Sequence, residues 1–417
     1  MTKGFKLHDD LKLGVATAAT QIEGDEQNTN WYEFSLGKGN VKDGSTPFRA
    51  NKHYQLYKED IALMKKMNIE IYRMGIEWAR IEPEEGKFSK EAITHYIDEI
   101  KLLKKNNIEV LVTLHHFSNP LWFEKKGAFL SKDAIPTFLR FVEYVVTSFK
   151  GLVNEYCTIN EANVYATSSY LFGVWPPMKK DFKAMLKVMK TLALCHIEAY
   201  KLIKSIDPTC KVGFANHMAK FAPKREKNII DKIASKLYDT GFQDSLTRAM
   251  ATGVFKFPFG SSKKYKGNYI DFFGMNYYSR KRIKGVSLLE DDTVSHNDLG
   301  WGISPESLNE LCERFHNEYK VDIYITENGT CDAKDEFRCK FIFDHLKAIS
   351  TLQYVKRYYH WTFIDNWEWA EGESARFGLV ALDFETQERK IRKSGYFYSK
   401  IIKEKEITDE MIEEYSL

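Results

Sequence analysis

The chain has 417 residues, with 61 Lys and Arg against 58 Asp and Glu and a formal net charge of +3. So close a balance gives no electrostatic footprint for nucleic acid or an anionic membrane, and lysine-rich stretches such as Lys263-Lys264 read as solvated faces. No stretch approaches the ~18 apolar residues of a membrane span, whereas a hydrophobic content of 43% suffices for a large buried core.

The first ten residues are polar and charged, without the apolar segment of a secretory leader, so a cytosolic protein is expected. A strand is predicted over 12–19, ending at Thr20-Gln21. A helix over 53–67 follows, in which Tyr54, Tyr57, Ile61 and Met64 recur at helical spacing. Strand 71–76 leads to helix 90–105 with Ser89 as its N-cap, strand 109–114 to helix 135–149, and strand 155–159 to helix 185–205. After strand 211–216 the pattern loosens over 219–268, with helix only around 229–237. Strand 270–275 precedes a polar excursion over 281–298. Ser304-Pro305-Glu306 then reads as an N-cap, a first-turn proline and a first-turn acid, opening a helix to residue 318. Strand 322–325, helix 335–350, strand 357–363 and helix 396–403 complete the series.

Strict alternation of strand and helix implies a parallel sheet with helices outside, and eight such units close a (β/α)8 TIM barrel. No Pro/Gly/Ser-rich linker or shift in composition divides the chain, so one catalytic domain over residues 1–417 is expected. The six cysteines (Cys157, Cys195, Cys210, Cys312, Cys331, Cys339) show no CxxC pair and read as reduced thiols. Aromatic residues make up 14%; flat rings suit the CH faces of sugars, although most must fill the core.

In this fold, reactive side chains sit at the C-terminal ends of the strands. Those ends carry Gln21, Arg73, His116, Asn160-Glu161, Asn276 with Tyr278, Glu327-Asn328, and Trp361 with Glu368. A barrel needs apolar strand bodies but has no need of carboxylates and amides at nearly every exit. Such groups are costly to desolvate unless they bind something polar, and a polyhydroxylated ligand would satisfy them. Glu161 ends strand four and Glu327 strand seven, so they can meet only across the barrel mouth. Glycoside cleavage with retention needs two carboxyls roughly 5–5.5 Å apart, one attacking and one delivering a proton. The residues alone leave that chemistry and a structural ion-pair role both open.

Other residues have competing readings. Arg73 has a rival partner in Glu77. His115-His116 resembles a metal pair, but neighbours on a strand point to opposite faces and no third ligand stands at suitable spacing. Neither metal nor cofactor is expected. Trp175-Pro176-Pro177 fits a substrate wall or a stiff surface loop equally, and Trp367 reads as packing.

The ordered motifs carry more. They are Ala16-Thr-Ala-Ala-Thr-Gln21-Ile-Glu-Gly24, Tyr57-Lys-Glu-Asp60, Tyr72-Arg73-Met-Gly-Ile-Glu-Trp78 and Thr113-Leu-His-His116-Phe. Further along come Thr158-Ile-Asn160-Glu161, Asp271-Phe-Phe-Gly-Met-Asn276-Tyr-Tyr278, Ile325-Thr-Glu327-Asn-Gly329, and Asp365-Asn-Trp-Glu368-Trp369 with Arg376-Phe377-Gly378. In order and spacing, over most of the chain, the sequence resembles glycoside hydrolase family 1. The resemblance implies a retaining β-glycosidase. Glu327 would be the nucleophile, flanked by Arg73 and Tyr278, and Glu161 the acid/base that starts protonated. Asn160 would bind the sugar 2-OH; Gln21, His116, Glu368 and Trp369 would hold the outer hydroxyls, with Asn276 in the site, Trp361 under the ring and Phe377 beside it.

Where the family usually has Asn-Glu-Pro, this chain has Asn160-Glu161-Ala162; because proline holds its predecessor extended, Ala162 is expected to loosen the aim of Glu161 modestly. Glu368 would repel a phosphate, so non-phosphorylated β-glucosides or β-galactosides are the expected substrates. Transglycosylation by the same residues, or a sugar-binding barrel with little turnover, remain alternatives. The expected partner is a small-molecule glycoside, with neither nucleic acid nor membrane; oligomeric state and aglycone are not legible.

Overall fold

Runs rich in Val, Ile, Leu and Tyr build eight central strands, each starting within two residues of the sequence expectation, although the first ends at Ala16 and Ala19–Ile22 is a short helix. In the computed structural model, which describes residues 3–417, they are β1 (Lys12–Ala16), β2 (Ile71–Gly75), β3 (Glu109–Thr113), β4 (Glu155–Asn160), β5 (Lys211–Pro223), β6 (Phe272–Lys284), β7 (Asp322–Asn328) and β8 (Val355–Trp361). Met1 and Thr2, the start of the polar N-terminal stretch, lie outside the described residues. The hydrogen-bonded order is β5-β4-β3-β2-β1-β8-β7-β6, all parallel, and pairing of β5 with β6 closes the ring. This is a (β/α)8 barrel. No helix among the described residues is long and apolar enough to cross a membrane.

Around it run α1 (His53–Lys66), α2 (Lys90–Lys105), α3 (Ala134–Ser148), α4 (Phe182–Ile206), α5 (Ile229–Tyr238), α6 (Ser245–Thr252), α7 (Pro305–Tyr319), α8 (Arg338–Ile349) and α9 (Lys393–Glu404). Ser89 caps α2 by accepting from the Ala92 N–H at 3.1 Å. Ser304 does not cap α7; its hydroxyl is spent on Glu306 and Ser307, and Pro305 alone opens the helix. Helix α8 begins three residues later than predicted. The Asp332 carboxylate takes the N–H groups of Glu336, Phe337 and Arg338 at 2.8–3.0 Å, holding that stretch in a turn.

The larger departures are at β5 and β6. Both run past the barrel mouth and stay paired to Pro223 and Ile283. The predicted polar excursion is in its first part a β-hairpin: β6 turns at Gly285 into an antiparallel strand, Ser287–Glu290. Ala219, Phe221 and Ile283 make a small apolar cluster on this extension, separate from the main core. That cluster explains why the strands continue where the alternation faded: they gain a surface of their own to cover.

Candidate active site

The polar groups named at the strand ends converge on one cavity of about 280 Å³ at the barrel mouth. The backbone is bent to deliver several of its walls. Phe117, Glu161 and Trp369 have φ of 65°, 44° and 51°, a left-handed region costing a non-glycine residue on the order of 1 kcal/mol. Glu161 overturns one expectation. Its backbone is left-handed rather than extended, so a following proline is not what would aim it, and Ala162 simply opens a short helix (Ala162–Ala166). The aim is set by the main chain: the Asn160 N–H donates to His115 O at 2.9 Å and the Glu161 N–H to Ala215 O at 2.6 Å.

Glu327 leaves β7 with both oxygens engaged. Oε1 accepts from Arg73 Nη1 at 2.7 Å and Oε2 from the Tyr278 hydroxyl at 2.6 Å. The next residue is anchored too, since Asn328 Oδ1 accepts from Tyr358 and its amide donates to Tyr277 O. Gly329 is required because a Cβ there would lie 1.7 Å from the Trp361 carbonyl oxygen. Burial pushes the Glu327 carboxyl up, the Arg73 charge pulls it back, and the Glu161 charge pushes it up again.

Arg73, fully buried, pairs with Glu327 and not with Glu77. Its remaining N–H groups reach Thr113 Oγ1 (3.0 Å), Thr326 O (3.1 Å) and Asn160 Oδ1 (2.6 Å). Because guanidinium only donates, Asn160 must turn its oxygen to Arg73 and its NH₂ to His116 Nε2, 2.9 Å away. Thr326 similarly donates to Asn276 Oδ1, so Asn276 Nδ2 donates to Asn160 Oδ1 (3.0 Å) and Glu161 Oε1 (2.9 Å). An unbroken chain of hydrogen bonds thus joins the two carboxyls through Asn276, Asn160 and Arg73.

His116 is held neutral by burial and by the Arg73 charge. With Nε2 accepting, its proton sits on Nδ1, which has no partner among the described residues. Gln21 donates to Trp367 O (3.0 Å) and Glu368 Oε2 (3.1 Å), and its buried Oε1 is likewise unpartnered. Burial lifts Glu368 to about 7 against the hydrogen bonds of Asn366 and Gln21. Orphaned buried polar atoms at one mouth are rare unless a ligand completes them. Trp361 and Trp369 each lie near-parallel to the His116 ring at 5.9 Å. Phe377 is fixed by Asp365, which accepts from the neighbouring Gly378 N–H and from Arg392.

All twelve residues read from the sequence are therefore in or directly behind this cavity. Trp175 faces it, which decides for a wall over a surface loop, and Trp367 is buried against Trp31 as packing. His115 turns away to Asn119 and the rings of Phe129 and Tyr165. Sequence reading missed His217 and Trp301. His217 Nδ1 is 3.4 Å from Glu161 Oε1, and its ring stacks on Tyr278 at 5.9 Å. Trp301 meets Tyr278 edge-on at 5.6 Å. A lone Trp in a polar stretch was a usable signal; His217 had none, lying just past the predicted end of β5.

The model of Glycosyl hydrolase family 1 matches residues 4–407. A β-glycosidase from Pyrococcus horikoshii is 34% identical, with 99% of this chain and 98% of that one covered at a TM-score of 0.90. The β-glucosidase from Thermotoga maritima in complex with glucoimidazole is 30% identical over 96% and 99% of the two chains, with a TM-score of 0.91. A 6-phospho-beta-galactosidase of Clostridium acetobutylicum is also 30% identical, over 96% of this chain and 98% of its own. With the family matched from end to end and the barrel shared, the chain belongs to glycosyl hydrolase family 1, the retaining β-glycosidases, and is an O-glycosyl hydrolase.

Proposed function

We propose that the protein hydrolyses non-phosphorylated β-glucosides or β-galactosides by double displacement, with Glu327 as nucleophile and Glu161 as acid/base. The observation that carries this is the unlike treatment of the two carboxyls. Glu327 is held by a buried cation and a hydroxyl, both of which favour the anion; Glu161 is held by the neutral amide of Asn276. Glu161 gives its proton to the glycosidic oxygen as Glu327 bonds to the anomeric carbon, and the C–O bond to the aglycone breaks. Once esterified, Glu327 no longer repels a charge opposite it. Glu161 then takes a proton from water as the water oxygen attacks the anomeric carbon, and Glu327 leaves as carboxylate.

The Asn160 amide suits the sugar 2-OH, since Arg73 fixes its orientation. Gln21, His116, Glu368 and Trp369 suit the outer hydroxyls, with Trp361 under the ring and Phe377 at its edge. A non-phosphorylated sugar is favoured because Glu368 and Glu371 line the cavity while, among the described residues, no Lys or Arg does. All six cysteines are unpaired and buried, which supports a reducing, cytosolic setting. One apolar core reaching from Leu7 to Ile412 supports a single catalytic domain.

The test is release of chromophore from aryl β-glucoside, β-galactoside and their 6-phosphates, by the native protein and by Glu327→Gln. Turnover of the unphosphorylated sugars, lost at least about a thousandfold in Glu327→Gln, is expected. Equal rates for the two proteins, or preference for the 6-phosphates, would defeat the reading.

A further inference from the structure

Beside the active-site cavity lies a second one of about 420 Å³, between α4, α5 and the long β5–β6 extension. The two share His217, which stands by Glu161 on one side and meets the Phe242 ring edge-on at 6.0 Å on the other. Val164 faces the first cavity and Thr167, one turn on, faces the second. Two walls are π-helical turns, Thr167–Leu171 and Asp239–Asp244, a widened geometry that recurs where helices are shaped for function.

We propose that this second cavity is a groove for an extended apolar aglycone, so that the preferred substrates are β-glycosides of long unbranched alkyl chains. The proposal rests on Glu161 as the acid: the leaving oxygen must sit at that carboxyl, and His217, 3.4 Å from it, lines both cavities. Past His217 the lining is Phe242, Phe221, Met185, Leu237 and Phe257. The few polar groups there are already spent. The Thr167 hydroxyl donates to Asn163 O at 2.9 Å, the Tyr238 hydroxyl to Val286 O at 2.7 Å, and Lys281 pairs with Glu290. Among the described residues no unspent polar side chain lines this stretch for the hydroxyls of further sugar units, whereas a hydrocarbon needs none.

The groove is also unusually greasy where it meets solvent. Phe257, Leu237 and Phe172 are 73%, 60% and 59% exposed, and apolar surface this contiguous marks a binding site. Helix α5 continues it outward through Ile233 and Ile230, with the ordinary pattern inverted: its Asp231 and Ser235 are the buried residues.

The experiment is kcat and KM for methyl, butyl, hexyl and octyl β-glucosides, each below its micelle concentration, with the native protein and with Leu237→Gln/Leu288→Gln, two exposed positions that the fold does not bury. In the native protein KM should fall about two- to fourfold per added methylene, as expected for burying CH₂ groups wholly or in part. In the double variant that slope should flatten, while its rate on the methyl glycoside separates lost chain contact from lost chemistry. A flat native series, or an unaltered slope in the variant, overturns the groove and leaves the active site standing. No turnover of any β-glycoside by the native protein overturns both. A gain that appears only when the substrate is presented in phosphatidylcholine vesicles identifies a membrane-docking face instead and also overturns the groove.

Discussion

Replacing Arg73 by methionine keeps much of the side chain's bulk and removes the buried cation that pairs with Glu327. Arg73 is fully buried, and its Nη1 lies 2.7 Å from a Glu327 oxygen that is itself almost wholly enclosed. A cation at that range lowers a carboxyl pKa by roughly 1–3 units. Losing it cuts the ionised fraction of Glu327 near neutral pH about 10- to 1000-fold, and nucleophilic attack falls with it. The assay is kcat/KM on an aryl β-glucoside against pH. Activity rises as Glu327 ionises, so the acid limb should move to higher pH by those 1–3 units, and raising the pH should recover part of the rate. Stability follows the same linkage. Glu327 already titrates above the ordinary carboxyl range in the fold, and removing Arg73 raises it further. The folded state then holds that proton more tightly than the unfolded chain does. Both proteins lose stability alike from about pH 4.5 upward, and the variant's deficit against the native protein grows only as pH rises through about 8, where Glu327 ionises in the native fold. Fully ionised, an orphaned buried carboxylate costs about 3–5 kcal/mol. Adding Glu327→Gln should restore much of the melting temperature, because no charge is left to strand. An acid limb that stays in place while only the plateau drops would refute the reasoning, and would make Arg73 a scaffold for Asn160 rather than the counter-charge of the nucleophile.

Glu161→Gln removes the proton donor but leaves the Asn276 contact; the loss should reach about 10²–10⁴-fold on alkyl glycosides and be much smaller in the first, glycosylation step on a nitrophenyl glycoside, whose leaving group needs little help. Equal losses for both leaving groups, measured by pre-steady-state release, would remove Glu161 from the acid role. Far from the site, buried His53 bridges Asp60 at 2.8 Å and Glu99 at 3.0 Å. Burial opposes its charge, but Glu99 and Asp60 prevail and lift it to about 10. Its contribution is therefore complete below about pH 6.5 and lost as pH climbs through 10, so the melting gap between native protein and His53→Gln should be wide at pH 6 and close towards pH 10. A gap independent of pH would exclude a charged His53.

The barrel was legible because its signal is repeated: short β-rich runs and amphipathic runs alternate along the chain, and nearly every strand end carries the polar residue that the apolar rule forbids. What the sequence hid has physical causes. The extension of β5 and β6 past the mouth is stabilised by pairing between segments roughly sixty residues apart, Pro223 with Ile283, and no local pattern reports a partner at that distance. His217 belongs to that extension, so its place beside Glu161 was invisible for the same reason. The proline argument at position 162 failed because it assumed an extended Glu161, while main-chain bonds to His115 and Ala215 bring it to φ 44°. Motif order picked out twelve residues that lie in or directly behind one cavity, but their mutual orientation is a property of hydrogen-bond direction, which a sequence does not display.

That direction can be traced to one side chain. Arginine has donors only, so wherever Arg73 points, its partner must accept. Asn160 therefore presents Oδ1 to Arg73 and an amide hydrogen to His116. His116 must accept at Nε2, which leaves its proton on Nδ1, without a partner among the described residues. Asn276 is turned the same way by the Thr326 hydroxyl and adds its own N–H to Asn160 and Glu161. Each group keeps a single hydrogen-bonding sense before any substrate arrives, so little reorganisation is left for the moment of reaction. A lysine at position 73 would keep the positive charge but lose the fork that reaches Glu327 and Asn160 together, and the amide orientations downstream would no longer be fixed. The charge of Arg73 serves the Glu327 carboxylate, and its geometry orients the amides beyond it.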